Sequence, residues 1–465
     1  MRSNSSRRVL TGMMACGMAF LLAACDEDPP VTVTPPPPNP PAAVVAPHQS
    51  DMVQVWSLKA ADAYNASGQY PADPADTTKT DVERRGAWNV EIATVHIAMY
   101  DAVMAIVGTH KAFLVTPTAT APKSGRAQDA AVMAAAYGVI KAYWPDRSPV
   151  YQPTYDEKLL ALNNGATGDE VTRGIALGAE VAAKVVAARA NDGRMTPIGP
   201  FATGTLPGQY RLPPAPLASP FIANIKPFTL ASGSQFRGSL RGPPVLGSAA
   251  YAADFAETRD LGSSTSTLRT AAQTETARFH TEAPNQHWPR NLAQFSHWPG
   301  TTAGTAAFTL AEDARLSAMM WVSLSDTIVG CWDAKFHYWF WRPHSAIPLA
   351  DTDGNDTTVA VPTWIALGPV PPHPEYPAAH TCVASAVAET LASYFDTRKI
   401  AFTMDAKIAA PAVPAHPYAS VDEFVDNNFM GRIWGGQHFR HSLNDGVTMG
   451  KLVSDWVRDH HFQPK

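Results

Sequence analysis

The sequence is short of cysteine, of charge and of strand-forming runs. Four cysteines in 465 residues are too few for a disulfide scaffold or a Cys-rich zinc module. Charged residues make up 17%, against roughly 25% in an average globular protein. Apolar residues make up 45%, which excludes a wholly disordered chain. Basic residues are in deficit. The 36 Lys and Arg, less Arg2, Arg7 and Arg8 of the leader described below, leave 33 against 41 acidic residues, or −8. A nucleic-acid binder that neutralises phosphate leans the other way, so no nucleic-acid partner is expected. Period-2 runs of Val, Ile and Thr are nearly absent, which argues against a sheet-based fold. The longest apolar run, about 16 residues from Val9 to Ala24, is short of the ~20 that a membrane span needs.

Proline, by contrast, is in excess, with 41 residues or about 9% where roughly 5% is usual. Histidine and tryptophan are uneven: 12 of 15 His and 9 of 12 Trp lie from His280 onward, which puts the expected chemistry in the second half. Residues 1–24 read as a signal peptide, with a basic start, an apolar run and Leu22-Ala23-Ala24-Cys25. That ending resembles a bacterial lipobox, in which Cys25 is lipidated and anchors an exported protein to a membrane, in the periplasm or at the cell surface. Residues 25–50 follow as a tether, with nine prolines between Pro29 and Pro47 favouring polyproline II. The remainder reads as all-α. The expectation is two packed helical bundles, 51–193 and 248–465, joined by an irregular connection at 194–247 that holds ten prolines and forms a wall over a pocket. Helices are expected at Asn89–Val107, Asp129–Trp144, Asp169–Ala190, Tyr251–Leu261, Thr270–His280 and Ala306–Trp341, with Thr167 and Glu170 forming a capping box.

Three blocks carry chemistry. In Trp332-Asp333-Ala334-Lys335-Phe336-His337-Tyr338-Trp339-Phe340-Trp341-Arg342-Pro343, Lys335 and Arg342 are seven apart. On a helix both cations share a face. That is unfavourable unless an anion sits between them, or unless both side chains snorkel. In Pro371-Pro372-His373-Pro374-Glu375-Tyr376-Pro377-Ala378-Ala379-His380, prolines frame a helix start, where free N–H groups favour an anion. His380 stands in that first turn, placed to protonate a bound oxyanion. In Gly431-Arg432-Ile433-Trp434-Gly435-Gly436-Gln437-His438, the glycines allow close backbone approach, Arg432 offers a permanent cationic fork and His438 offers a ring nitrogen as ligand or nucleophile.

In order and spacing the blocks resemble the signature of the vanadium-dependent haloperoxidases and the phosphatidic-acid-phosphatase type 2 superfamily: K-x6-RP, PSGH and SR-x3-G-x-H. Lys335, Arg342 and Pro343 match the first motif, Pro377 and His380 the second, and Arg432, Gly436 and His438 the third. The resemblance implies a vanadium-haloperoxidase-like fold with vanadate as cofactor. Lys335, Arg342, Arg432, Gly436 and backbone amides near Ala379 would hold it, and His438 would be the axial ligand to vanadium. His380 would be the acid/base and Lys335 would polarise bound peroxide. Hydrogen peroxide, a halide and a small organic acceptor are the implied partners. Trp332 and His373 would line a halide pocket. The family has Phe at the position of His373 in chloride-oxidising members and His in bromide-oxidising ones, which tilts the expectation to bromide or iodide.

The chain departs from the pattern at Ala378 for Ser, Ala379 for Gly, Gly431 for Ser, and Ser442 where Asp often supports the axial His. Each lost hydrogen bond to a charged group is worth roughly 1.5–3 kcal/mol. Two rival readings follow. One is an acid phosphatase in which His438 attacks phosphorus and His380 protonates the leaving oxygen. The other is a non-catalytic oxyanion-binding lipoprotein. Cys331 and Cys382 flank the blocks, either as a pair clamping two helices or as two small buried hydrophobes.

Overall fold

The computed structural model describes residues 48–465 apart from 67–86, 195, 197, 199, 215, 301–305 and 409–410. The signal peptide, Cys25 and the tether up to residue 47 lie outside the described residues. The chain is all-α: thirteen helices are described, and the sole sheet among the described residues pairs Phe402–Met404 (β1) with His416–Tyr418 (β2).

Five helices come first: α1 (Met52–Ala66), α2 (Trp88–Val107), α3 (Gly125–Tyr143), α4 (Ser148–Asn163) and α5 (Glu170–Arg189). Helix α2 is long and apolar enough to cross a membrane, yet 94% of that stretch is buried inside the fold, as befits a core helix. Two of its buried polar residues find partners inside the fold. Asp101 accepts from the amides of Phe113, Leu114 and Val115 at 2.6–3.0 Å, and His96 bonds Ser57 at 3.2 Å while stacking on Trp321. Helix α5 lies against α3 through glycines. A Cβ at Gly178 would fall 2.2 Å from the Ala131 carbonyl, so only glycine permits that approach. The expected capping box is half present: the amide of Thr167 donates to Glu170 at 3.2 Å, but the helix starts at Glu170 with Asp169 at its cap position.

The connection 194–247 carries only two short 3-10 turns among its described residues, Pro220–Asn224 and Arg237–Ser239. Then come α6 (Ala249–Gly262), α7 (Ala271–Phe279), α8 (Pro284–Leu292), α9 (Leu310–Tyr338), the single turn α10 (Pro343–Ala346), α11 (Ala379–Phe395), α12 (Val421–Trp434) and α13 (Arg440–His460). Helix α9 opens with a full capping box, Thr309 with Glu312, and packs against α2 on one side and α11 and α13 on the other.

One expectation is corrected here. Lys335 and Arg342 do not share a helix face, because α9 stops at Tyr338, with Trp339 left-handed at φ 50°. Arg342 lies beyond the turn in extended backbone and caps α10. Five aromatics crowd this stretch, and their burial, rather than helical periodicity, decides its path. Trp341 is fully buried, and Trp339 packs on Phe201 and Tyr210.

Candidate oxyanion site

Lys335 reaches the centre from the last turn of α9, fully buried. Its ammonium donates to the carbonyls of Pro374 and Glu375, each at 3.0 Å, and to that of Pro377. All three protons are therefore used on the proline-framed loop that leads into α11. Burial lowers its pKa to about 8, so it is mostly protonated near neutral pH. Arg342, also fully buried, donates from Nε to the His373 carbonyl at 2.7 Å and from Nη1 to the Gln437 carbonyl at 2.8 Å. It thereby pins the second block to the third. Its Nη2 lies 3.0 Å from His373 Nδ1. The same Nδ1 lies 3.2 Å from the Pro374 carbonyl, so the ring is held between a donor and an acceptor.

Arg432, in the last turn of α12, gives Nη1 to the His280 carbonyl at 2.6 Å, while its buried Nε has no protein partner. Desolvation lowers its pKa to about 9 and that of Arg342 to about 10. Both directions record the same condition, cations taken out of water with little negative charge to meet them.

That little negative charge is Glu375, which the motif reading passed over. It is fully buried, and its Oε1 accepts from His438 Nδ1 at 2.9 Å and from the Phe439 amide at 3.0 Å. Its Oε2 faces His441 Nε2 at 3.9 Å. Burial raises the Glu375 pKa. The bond fixes the His438 tautomer with the proton on Nδ1, leaving the Nε2 lone pair free of any protein partner. Burial, then the charges of Arg342, Lys335 and Arg432, hold the His438 pKa well below 6.5, so the ring is a neutral donor. Ser442 bonds the Glu375 carbonyl at 3.3 Å, and Asp445 is held by Arg241 and Tyr376. Neither touches His438.

A cavity of about 270 Å³ opens beside these groups. It is lined by Ala379, His380, His373, Gln437 and Arg432 and by three tryptophans, Trp88, Trp288 and Trp332. Ala218 and Ile222 of the connection complete one side. His380 is half-buried and makes no hydrogen bond to the described residues. Burial and then Arg432 depress its pKa well below 6.5. Helix α11 starts without a side-chain cap, which leaves amides near Ala379 at the positive end of its dipole. Trp332 and His373 lie together, their rings 5.2 Å apart. Lys335, Arg342, Gly436 and His438 stand behind the cavity surface. At Gly436 (φ 71°) a Cβ would meet the Gly262 carbonyl at 2.5 Å, so the close approach allowed there is to α6. His280, a second residue the motifs did not reveal, lines the cavity. It explains the missing serine at Gly431, where a Cβ would fall 2.5 Å from the His280 ring.

The donor set fits vanadate. Arg432 with its orphaned buried Nε, the unpartnered His380 and the uncapped start of α11 line one cavity, and His438, with an open Nε2, feels the charges of Arg342, Lys335 and Arg432. Among the described residues no group of three His, Cys, Asp or Glu could hold a metal cation; the groups present suit an oxyanion.

Comparison with known proteins bears on the fold. Residues 315–464 match the family model described as the VCPO second helical-bundle domain. No curated protein matches the chain. Among solved structures, a bacterial vanadium-dependent iodoperoxidase aligns at TM-score 0.65 and 19% identity, covering 89% of this chain and 97% of the other. The holo form of a bacterial vanadium-dependent chloroperoxidase aligns at 0.66 and 17%, with the same two coverages. The apo form of a bacterial vanadium-dependent chloroperoxidase gives 0.63 and 17%, covering 83% and 95%. Residues 315–464 thus match the VCPO second helical-bundle domain, within a chain whose fold is similar to that of the bacterial vanadium-dependent haloperoxidases.

Proposed function

We propose that the chain is a vanadate-dependent haloperoxidase, oxidising bromide or iodide in preference to chloride with hydrogen peroxide and delivering the oxidised halogen to a small organic acceptor. The observation that carries this reading is the imbalance of buried charge. Lys335, Arg342 and Arg432 are buried where the nearby carboxylates are already engaged, Glu375 by His438 and Glu282, which lines the cavity, by Arg290. A multiply charged oxyanion supplies what is missing.

Arg432, His438 through its Nε2, and the amides at the start of α11 would hold vanadate. Vanadate, when bound, supplies a Lewis acid that stays pentavalent while it activates peroxide for attack by halide. His380, neutral at rest, takes the proton that hydrogen peroxide gives up and returns it to the departing oxygen. Lys335 and Arg342 fix the carbonyls of the 373–377 loop and of Gln437, so that the cradle does not reorganise during turnover. His373, its ring beside that of Trp332 and both lining the cavity, would meet an incoming halide, which is the basis for bromide or iodide here. We further propose that the protein is exported and held at a membrane by lipid on Cys25.

The deciding experiment incubates purified protein with bromide, iodide or chloride, peroxide and phenol red, with and without orthovanadate. Vanadate-dependent bromination and iodination with little chlorination is the expected result, and His380→Ala should lower it at least a hundredfold. Release of phosphate from a phosphomonoester, inhibited by vanadate, would replace this reading with the phosphatase. Vanadate binding with neither activity would leave an oxyanion-binding protein.

A further inference from the structure

Cys331 on α9 and Cys382 on α11 are free thiols, both fully buried. Their sulfur atoms lie 2.8 Å apart, inside the roughly 3.5–4.0 Å at which even smaller non-bonded carbon atoms rest. Cys331 is one turn before Lys335, and its sulfur faces the Pro377 carbonyl at 3.7 Å, the same carbonyl that accepts from Lys335. Cys382 is two residues after His380. The pair therefore bridges the helix that delivers Lys335 and the helix that delivers His380. It sits one side-chain layer behind the cavity, because Ile328, one turn before Cys331, and Val383, next to Cys382, both line it.

We propose that Cys331 and Cys382 form a cross-linking site, a dithiol that hydrogen peroxide oxidises to a disulfide tying α9 to α11 beneath the oxyanion cradle. One thiol sulfur attacks a peroxide oxygen. The O–O bond breaks, a water leaves, and that cysteine becomes a sulfenic acid. The second thiol attacks the sulfenic sulfur, the S–S bond forms and a second water leaves. Two thiols lose two hydrogens and two electrons, and one peroxide becomes two waters. The bridge closes a long loop that contains the whole second block, which restricts the unfolded chain. It also fixes the spacing between Lys335 and the first turn of α11.

The test uses the full chain, reduced, desalted and exposed to hydrogen peroxide, then denatured in iodoacetamide without reductant. The expected result is a cross-linked peptide pair containing Cys331 and Cys382, a loss of two hydrogens at those sites, full reversal by dithiothreitol, and a melting midpoint several degrees above that of the reduced protein. Cys331→Ser and Cys382→Ser should each leave the remaining thiol open to alkylation. Full alkylation of both cysteines after peroxide, or their separate oxidation to sulfinic acids, overturns the proposal, and a cross-link without a rise in melting temperature overturns the clamp. No readout needs vanadate or halide, so the outcome is independent of the reaction proposed above.

Discussion

Glu375 sets the character of His438. A buried carboxylate on one ring nitrogen keeps the other free and more basic, and loss of such a supporting partner typically lowers affinity about 10–100-fold. Glu375→Gln should therefore weaken orthovanadate binding by about that factor, with the melting temperature of the ligand-free protein little changed. Equal affinities in a calorimetric titration would show that His438 does not depend on it. Arg432→Lys removes the Nε donor and the planar fork while keeping the charge, so a loss of at least tenfold in the same titration is expected. At this scale the sequence was partly legible. Lys335, Arg342, His380, Arg432 and His438 stand out by residue type and spacing. Glu375 does not, because 63 residues separate it from His438 and only tertiary folding makes them partners. His280 escaped for the same reason, since it is 152 residues before Arg432.

At the scale of elements, the site depends on how closely α13 approaches α11. A Cβ at Gly446 would fall 2.2 Å from Thr381 Oγ1 and 2.7 Å from the Ala378 carbonyl, and one at Gly450 would fall 2.5 Å from the Cys382 carbonyl. Backbone cannot give way as a flexible side chain can. Gly450→Ala should lower stability by about 1–3 kcal/mol and reduce peroxidase turnover by moving the first turn of α11. A denaturation midpoint equal to that of the parent would refute this. Element existence was readable from apolar periodicity: α2, α3, α5, α6, α7 and α9 lie within a few residues of their expected spans. The path after α9 was not, because Trp339 turns left-handed under the pull of aromatic burial, and periodicity carries no record of that. Helices α4 and α8, with Pro153 and Pro289 inside them, were masked by proline.

For the whole molecule, ligand binding and protonation should both appear in stability. Orthovanadate at a hundred times its dissociation constant should stabilise the fold by about 2.7 kcal/mol, seen as a higher melting temperature in the absence of peroxide and halide. His96 offers a separate check far from the cradle. Burial holds its pKa down at about 3, so the folded protein keeps it neutral while the unfolded chain protonates it below about pH 6.5. Its contribution is complete above that pH and falls away by about 1.4 kcal/mol per pH unit on acidification. His96→Gln, less stable at pH 7 through lost stacking on Trp321, should close the gap to the parent as the pH drops towards 4. Parallel melting curves would show that His96 is not neutral in the fold.

The cavity has two origins in the chain. Of its lining, Ala379, His380, Arg432, Gln437 and Trp332 lie within residues 315–464, whereas Trp88, Ala218, Ile222, His280 and Trp288 lie outside that span. Two stretches of sequence thus build one cavity, tied together where the His280 carbonyl holds Arg432. Substitutions at Trp88, Ala218, Ile222 or Trp288, none of which bonds Lys335, Arg342, Arg432 or His438, can retune which acceptor enters, so that selection can vary the product without rebuilding the chemistry.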